Sequence, residues 1–479
     1  MPFDVDYHAI GPELILGATT IAVLLFDLAL RPARKWWSMV LAFLGTAAAL
    51  AVELTLIGSD RSSFGGTYVS DSFAVLFKVF FLSVALIILL LSHRYFRDGR
   101  YFQGEYYFLL LSAFLGMLTI SSSRDLLMLF ISLELVTAPA WLMAGFRKRD
   151  PRSNEASLKF FLIGILSTAV MLYGMSLVYG ATGSLRLDEI ARALSEQVPS
   201  GLAVAAVLFV VTGFAFKVSS VPFHFWAPDT YEGSPVPVAA FLSVASKAAG
   251  FAGLLQLMFL AFRPLAEFWA PVFALLSVLT MTLGNLIALQ QRQVVRLLAY
   301  SSVAQAGYML LPFALVGGGA DRMAFAAAVL YILIYGVMNL GAFAVVIALA
   351  REAPGALVRD FAGLGRRAPL LALAMGMFLI SLAGIPPFAG FWGKFFIFQA
   401  AIFADQAWLA VVMVVNSVIS LYYYVAIVRQ MYFVEVPQAR PLRAPALVTG
   451  VVMLAALTVL AVGFFPDLFA RFPPGATLP

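Results

Sequence analysis

The 479-residue sequence contains no cysteine, which excludes disulfides, iron–sulfur clusters and thiolate metal sites on this chain. Histidine is nearly absent too. His8 and His93 fall at the ends of apolar segments and His224 beside a helix break, so a bis-histidine haem or a zinc site has almost no ligands. Charge is scarce: 31 basic and 25 acidic residues make up 12% of the chain, where a soluble domain carries about a quarter. Soluble-enzyme signatures are missing as well, with no Walker loop, no convincing dinucleotide fingerprint and no acid cluster of metal-binding spacing. Any redox chemistry must therefore sit in a partner.

What is abundant is apolar side chain, 62% of the sequence. At about 20 residues per crossing, that content caps the chain near 15 membrane spans. Apolar runs bounded by charges or Pro/Gly clusters predict fourteen, near 9–30, 36–57, 72–92, 105–122, 125–146, 156–180, 201–220, 236–262, 268–290, 295–316, 322–350, 368–403, 406–433 and 445–468. The fold class is thus an all-α polytopic membrane protein. The longest connections, Thr182 to Ser200 and Ala350 to Arg367, suit loops or surface helices. The N-terminus lacks the basic start and small-residue cleavage site of a signal peptide, so the first apolar run reads as a retained span.

The odd-numbered connections hold 19 Lys and Arg, against 7 in the even-numbered connections and the tails. The net charge of +6 thus reads as a topological marker rather than a nucleic-acid surface, with odd loops cytoplasmic and both termini outside. With Arg296, Arg322 and Arg429, near span ends, counted with their adjoining connections, five basic residues remain within spans, and all are lysines: Lys78, Lys159, Lys217, Lys247 and Lys394.

Two segment pairs align at nearly the same offset. RDLLMLFISLELVTAPAWLM matches RQVVRLLAYSSVAQAGYMLL, and SVPFHFW matches GIPPFAGFWGK. The pattern implies a repeated five-helix unit, and an odd helix number inverts the second copy. The expected organisation is three N-terminal spans in 1–104, a first repeat in 105–262, a second in 263–434, and a last span with its tail in 435–479. Both copies carry a proline interruption, VSSVPFHFWAPDTYEGSPVP and LAGIPPFAGFWGKFF. Lipid cannot satisfy the carbonyls freed by proline, so two broken helices point to a wet cavity or a protein-lined path.

The chemistry-bearing residues cluster there. Lys217 ends a charge-free run five residues before Pro222, and Lys247 lies roughly 16 Å into span eight. A charge at such depth costs about 3 kcal/mol, so an idle lysine is disfavoured against structural ion pairing or a proton path. Glu134, roughly 13 Å into span five, is the acid nearest the middle of any span. Burial opposes the charge on either group and proximity favours it, so Glu134 and Lys217 form a candidate electrostatic switch. Lys394 is expected at the matching place in the second repeat, and His224 either relays protons between Lys217 and Lys247 or caps the broken helix.

Lys159 reads equally as a member of the path or as an i,i+4 partner of Glu155. Lys78, Glu13, Asp27 and Glu53 fall near span ends, where each can reach water or a neighbour, and take no catalytic role. Asp229 and Glu232 could draw protons from the cytoplasm, but read first as solvated loop acids. Ser301, Ser302, Gln305, Asn339, Asn416 and Tyr422–Tyr424 could hold water wires or join helices.

LFISLELVTAPAWLMAGFRK, KVSSVPFHFWAPDTYEGSPVPVAAFLSVASKAAGF, RQVVRLLAYSSVAQAGYML and LAGIPPFAGFWGKFFIF resemble the antiporter-like proton-pumping membrane subunits of respiratory complex I, over nearly the whole chain. GPELILGATTIAVLLFDL and the lysine at 394 resemble the N-type branch; the M-type branch has glutamate there. The chain stops soon after the fourteenth predicted span, so the long lateral C-terminal helix of the L-type branch is not expected. The resemblance implies fourteen helices with two inverted five-helix repeats, a Glu134–Lys217 charged pair, a central Lys247 and a distal Lys394. It also implies that NADH, FMN, iron–sulfur clusters and quinone belong to partner subunits, that this chain binds no cofactor, and that it sits among other membrane subunits in a bacterial inner membrane. Subunits of multi-chain cation/proton antiporters and membrane-bound hydrogenases share this core and stand as the second reading. A purely structural spacer would gain nothing from five basic groups inside the bilayer.

Overall fold

Each of the fourteen apolar segments is helical in the computed structural model, which describes residues 5–31, 34–98, 104–196, 201–436, 441–442 and 444–466. The chain ends, with Arg471, lie outside the described residues. The first elements are α1 (Gly11–Ala29), α2 (Trp36–Leu54), a hairpin of β1 (Arg61–Ser63) and β2 (Tyr68–Ser70), α3 (Ser72–Asp98), α4 (Gly104–Ser122), α5 (Leu126–Ala144) and α6 (Pro151–Thr182). There follow α7 (Leu187–Glu196), α8 (Gly201–Lys217), α9 (Trp226–Gly233), α10 (Val236–Phe241), α11 (Lys247–Gln256), α12 (Ala266–Ala288), α13 (Val294–Leu310) and α14 (Asp321–Leu349). Last come α15 (Leu364–Arg367), α16 (Pro369–Ala383), α17 (Ala389–Phe403), α18 (Ala407–Phe433) and α19 (Ala446–Phe464).

Among the described residues, twelve helical segments are long and apolar enough to cross a membrane, and three shorter apolar helices, α8, α16 and α17, accompany them. The predicted span 368–403 is the pair α16 and α17, so the shorter helices account for the two remaining segments. This is a multi-pass helical membrane protein. The hairpin was not expected: two glycines with positive φ, Gly65 at 66° and Gly66 at 88°, turn the chain between antiparallel strands paired Arg61 to Ser70.

Local signals set the helix ends. Asp125 caps α5 by accepting from the amides of Leu127 and Met128 at 2.8 and 3.0 Å. Asp150 accepts from Arg152 N ahead of α6, whose first residue is Pro151 and whose C-cap is Gly183 in the left-handed region. The expected surface helix is α7, which buries Leu187, Ile190 and Leu194 on one face and packs on Leu257–Ala261 and Arg263–Leu265.

The chain divides into two compact units, one comprising residues up to Lys217 with Gly233–Trp269, the other Val218–Glu232 with residues from Ala270 onward. In the first unit, α1 packs on α2 and α4, α4 on α5, and α6 on α8. Gly174 lets α6 approach α8 closely, since a Cβ there would lie 2.8 Å from the Ala206 carbonyl. The rod Val236–Ala261 is entirely buried against α3, α4, α5 and α8. It is not a regular α-helix: Leu242–Ser246 and Leu257–Ala261 are π-helical turns. In the second unit α14 is the hub, touching α13, α16, α17 and α19.

Candidate functional site

In the first unit, Lys217 is the last residue of α8 and only 4% exposed. A helix C-terminus is the negative end of the helix dipole, which favours an ammonium there. Its Nζ donates to the hydroxyl of Thr137, which itself donates to the Leu133 carbonyl at 2.6 Å. Thr137 stands one turn after Glu134 on α5. Glu134 is half-buried and accepts from Thr168 Oγ1 at 3.0 Å. Among the described residues no ion pair within 4 Å joins Glu134 to Lys217; the side-chain partners described are Thr137 for Lys217 and Thr168 for Glu134.

Lys247 is 2% exposed and opens α11 immediately after the π-turn Leu242–Ser246. A π-turn inserts one residue into the helical ladder and re-aims the side chains that follow, and such turns concentrate at functional sites. No proline or glycine announces this turn, and the sequence did not predict it. Gln256, also unpredicted, donates to Ile120 O at 2.8 Å and accepts from Arg124, which binds Asp71 at 2.5 Å.

In the second unit, the segment after Lys217 carries Ser219 at φ 60° and a cis Val221–Pro222 bond. Thr280 Oγ1 accepts from Val221 N at 3.0 Å and lies 3.0 Å from Ser220 Oγ. His224 is 4% exposed with its ring against Phe225 at 4.6 Å, and its Nδ1 has no hydrogen-bond partner among the described residues. Asp229 and Glu232 are not solvated loop acids: they lie on α9 and both bind Arg296 Nη1, at 2.8 and 2.7 Å. The guanidinium is a double anchor that sequence distance had concealed.

The second break runs from α16 through Gly384, at φ 89°, and the cis Pro386–Pro387 bond into α17. Lys394 is 6% exposed and lies in the second turn of α17, after its break, whereas Lys217 precedes its own. The two lysines are not at matching places relative to the interruptions. Lys394 Nζ donates to Ala383 O and Ser417 Oγ, each at 3.1 Å, and sits 4.4 Å from the centre of the Tyr308 ring. A cavity of about 380 Å³ reaches it, lined in part by Gly384, Phe391, Phe395, Ser417 and Val418.

Beside it lies a polar network. Asn285 Nδ2 donates to Tyr308 Oη at 3.3 Å and to Asn416 O at 3.0 Å, and Tyr423 Oη donates to Asn285 Oδ1 at 2.9 Å. Gln305 donates to Tyr424 Oη at 3.2 Å and to Leu382 O at 3.0 Å, and Ser301 lies 2.5 Å from Tyr424 Oη. Ser301, Gln305, Asn416, Tyr423 and Tyr424 are thus bonded to one another or to helix carbonyls, and Asn339 donates to Tyr335 Oη at 2.8 Å. Tyr422 is 71% exposed and stands apart. Asn285, Tyr308, Ser417 and Thr137 were missed because ordinary polar residues in apolar helices carry no signal without their partners.

Lys159 pairs with Glu155 at 2.8 Å, as their i,i+4 spacing suggests. Of the two outcomes expected for Lys78, Glu13 and Glu53, water or a neighbour, the structure shows the neighbour: buried, they meet one another, Lys78 lying 2.7 Å from Glu13 and 4.0 Å from Glu53. Among the described residues no three His, Asp or Glu side chains converge on a site for a metal ion.

Buried lysines at helix interruptions define a polytopic protein built to keep charge inside a bilayer. The family described as "NADH:quinone oxidoreductase/Mrp antiporter, TM" matches residues 123–420, and the chain belongs to it. Its relatives include NADH-quinone oxidoreductase subunit N of Trichlorobacter lovleyi, 40% identical across 90% of this chain and 88% of the relative. Subunit N 1 of Koribacter versatilis is 40% identical across 97% and 94%. Among solved structures, a chain of respiratory complex I from Thermus thermophilus, with bound aureothin, is 32% identical over 96% of this chain and 98% of that one, with a TM-score of 0.81. A chain of the Mrp complex from Dietzia shares the fold at a TM-score of 0.85 and 19% identity, over 98% of this chain and 96% of that one.

Proposed function

We propose that this chain is the N-type, proton-translocating membrane subunit of a bacterial NADH–quinone oxidoreductase. Protons move through Glu134, Lys217, His224, Lys247 and Lys394 while quinone is reduced elsewhere in the complex. NADH, FMN, iron–sulfur clusters and quinone belong in this reading to partner subunits, with other membrane subunits as direct neighbours. The 19 to 7 distribution of basic residues supports a place in the inner membrane with both termini on the outer side.

The observation that carries the reading is the enclosure of three lysines at interruptions of helical order, Lys217 and Lys394 beside proline breaks and Lys247 beside a π-turn. Buried ionisable groups at such depth are expensive to hold and mark proton relays. The acid at Glu134, one turn from the hydroxyl that binds Lys217, supplies a charge whose approach favours the ammonium and whose withdrawal favours proton release.

The test is proton translocation by the whole complex in liposomes. Lys217→Ala and Lys247→Ala are each expected to lower proton pumping at least tenfold while the complex stays assembled; normal pumping in both would overturn the path. Co-purification with quinone-reducing subunits separates this reading from a cation/proton antiporter or hydrogenase of the same fold.

A further inference from the structure

The N-terminal bundle holds a second group of buried charges that the pathway above does not use. Glu13 comes from the first turn of α1, Glu53 from the last turn of α2, Lys78 from the second turn of α3 and Tyr68 from β2. Lys78 and Glu53 have no exposed surface, and Glu13 is 8% exposed. Lys78 Nζ lies 2.7 Å from Glu13 Oε1 and donates to Tyr68 Oη at 2.6 Å. The Tyr68 hydroxyl is within 2.9 Å of both Glu13 Oε1 and the Ala9 carbonyl. Burial, reinforced by the Glu13 carboxylate, holds the Tyr68 phenol far above its ordinary range, so it serves as a neutral donor.

Glu53 is placed differently. Its Oε2 is 4.0 Å from the ammonium, and neither of its oxygens has a hydrogen-bond partner among the described residues. Two carboxylates face one ammonium, so with every group ionised the cluster carries one uncompensated negative charge in an enclosed site. Such a charge costs several kcal/mol. One added proton neutralises the cluster. Glu13 takes the short contacts with Lys78 and Tyr68, which leaves Glu53, with neither oxygen hydrogen-bonded among the described residues, as the group to receive it. Among the described residues the surrounding elements bring no further titratable side chain to this point: Ser122 of α4 lies beside Tyr68, Glu105, Tyr106 and Tyr107 lie at the opposite end of α4, and α10 is apolar. The hairpin's Arg61 pairs with Asp6 at 2.8 Å, and Asp71 pairs with Arg124 at 2.5 Å.

Water is close. Thr55 follows α2 directly, two residues beyond Glu53, and its hydroxyl lies 3.0 Å from His8 Nε2 at an exposed position. We propose that Glu53 is a proton-binding site that exchanges with the aqueous face where α2 ends, with the Lys78–Glu13 ion pair as its fixed counter-charge. In the loading step a hydronium ion transfers its proton to a Glu53 carboxylate oxygen, an O–H bond forms and a water molecule leaves; unloading reverses it. The site goes beyond the Lys217 path and does not depend on it.

Infrared difference spectroscopy of the whole purified complex tests this, with the unaltered protein compared against Glu53→Gln, which keeps shape and removes the titrating group. The expected result is a carboxylic-acid C=O band that fades as pH rises, shifts on transfer to D₂O, is lost in Glu53→Gln and persists in Lys217→Ala. Absence of any such band from the unaltered-minus-Gln difference would show a permanently ionised Glu53, and a band that neither titrates nor shifts in D₂O would show a sealed structural acid; either result overturns the proposal.

Discussion

Lys217 and Lys394 sit on opposite sides of their respective breaks and still place their ammonium groups in similar electrostatic surroundings. Lys217 does so by position, as the C-terminal residue of α8. Lys394 belongs to the half-helix after its break, whose own N-terminal end is unfavourable for a cation, and its Nζ reaches back 3.1 Å to the carbonyl of Ala383, the last residue of α16. The rest of each environment differs. Lys217 binds the Thr137 hydroxyl, one turn from Glu134. Lys394 has a carbonyl, a hydroxyl and an aromatic face, and among the described ion pairs none includes it. The first site holds its charge against a carboxylate, and the second holds it by neutral dipoles alone, so their responses to substitution should diverge.

The largest divergence is expected from the acid. Glu134→Gln keeps the Thr168 contact in outline and removes the charge, and it should lower proton pumping roughly tenfold, the effect of about 1.4 kcal/mol lost from the first site. The second site offers no acid to remove, so normal pumping by Glu134→Gln in liposomes would erase the distinction. Next in size are the hydroxyl partners. A hydrogen bond to a charged group contributes about 1.5–3 kcal/mol, and Thr137 is the sole described acceptor for Lys217, whereas Ser417 shares Lys394 with Ala383 and Tyr308. Thr137→Val should therefore reduce pumping by about tenfold, and Ser417→Ala by less than about threefold; equal losses would mean that neutral ligation is no more redundant at the second site.

How much of this was legible depended on whether the signal was local. Spans show themselves in apolar runs of about 20 residues, and both breaks show themselves in proline, so Lys217, Lys247 and Lys394 could be singled out from sequence and are indeed buried. The π-turn before Lys247 could not be foreseen, because Leu242–Ser246 has an ordinary helical composition. The Glu13–Glu53–Lys78 cluster escaped because each residue lies near the end of its own span; only the packing of α1, α2 and α3 brings the three ends together and buries them. Asp229 and Glu232 read as loop acids for the same reason, their partner Arg296 being 67 and 64 residues away.

Backbone at the second break gives a smaller, conformational test. Gly384 holds φ at 89°, and an added Cβ would lie 2.8 Å from Lys394 Cδ. A left-handed alanine costs about 1–2 kcal/mol before the lysine is displaced, so Gly384→Ala should lower the thermal stability of the complex and its pumping together. Gly376→Ala, in the interior of α16 with nothing within 4 Å of the new Cβ, is the control and should match or slightly exceed the unaltered protein in a thermal melt. If both variants behave alike, the Gly384 turn does not position Lys394.

The smallest effect separates the Tyr308 ring from its hydroxyl. The ring face lies 4.4 Å from Lys394 Nζ, and the hydroxyl accepts from Asn285 at 3.3 Å, a long bond to a side chain that also donates to Asn416 O. Tyr308→Phe keeps the face and gives up the hydroxyl's interactions with Asn285, Ser417 and Ser420, all between neutral groups, so pumping should fall less than in a variant without the ring. Tyr308→Leu removes the quadrupole, worth up to about 2 kcal/mol when desolvated. That loss falls on the ammonium of Lys394, so pumping should drop further in Tyr308→Leu than in Tyr308→Phe. A Phe variant as impaired as the Leu variant would assign the role to the Asn285 network and leave the second site without the aromatic ligand that distinguishes it from the first.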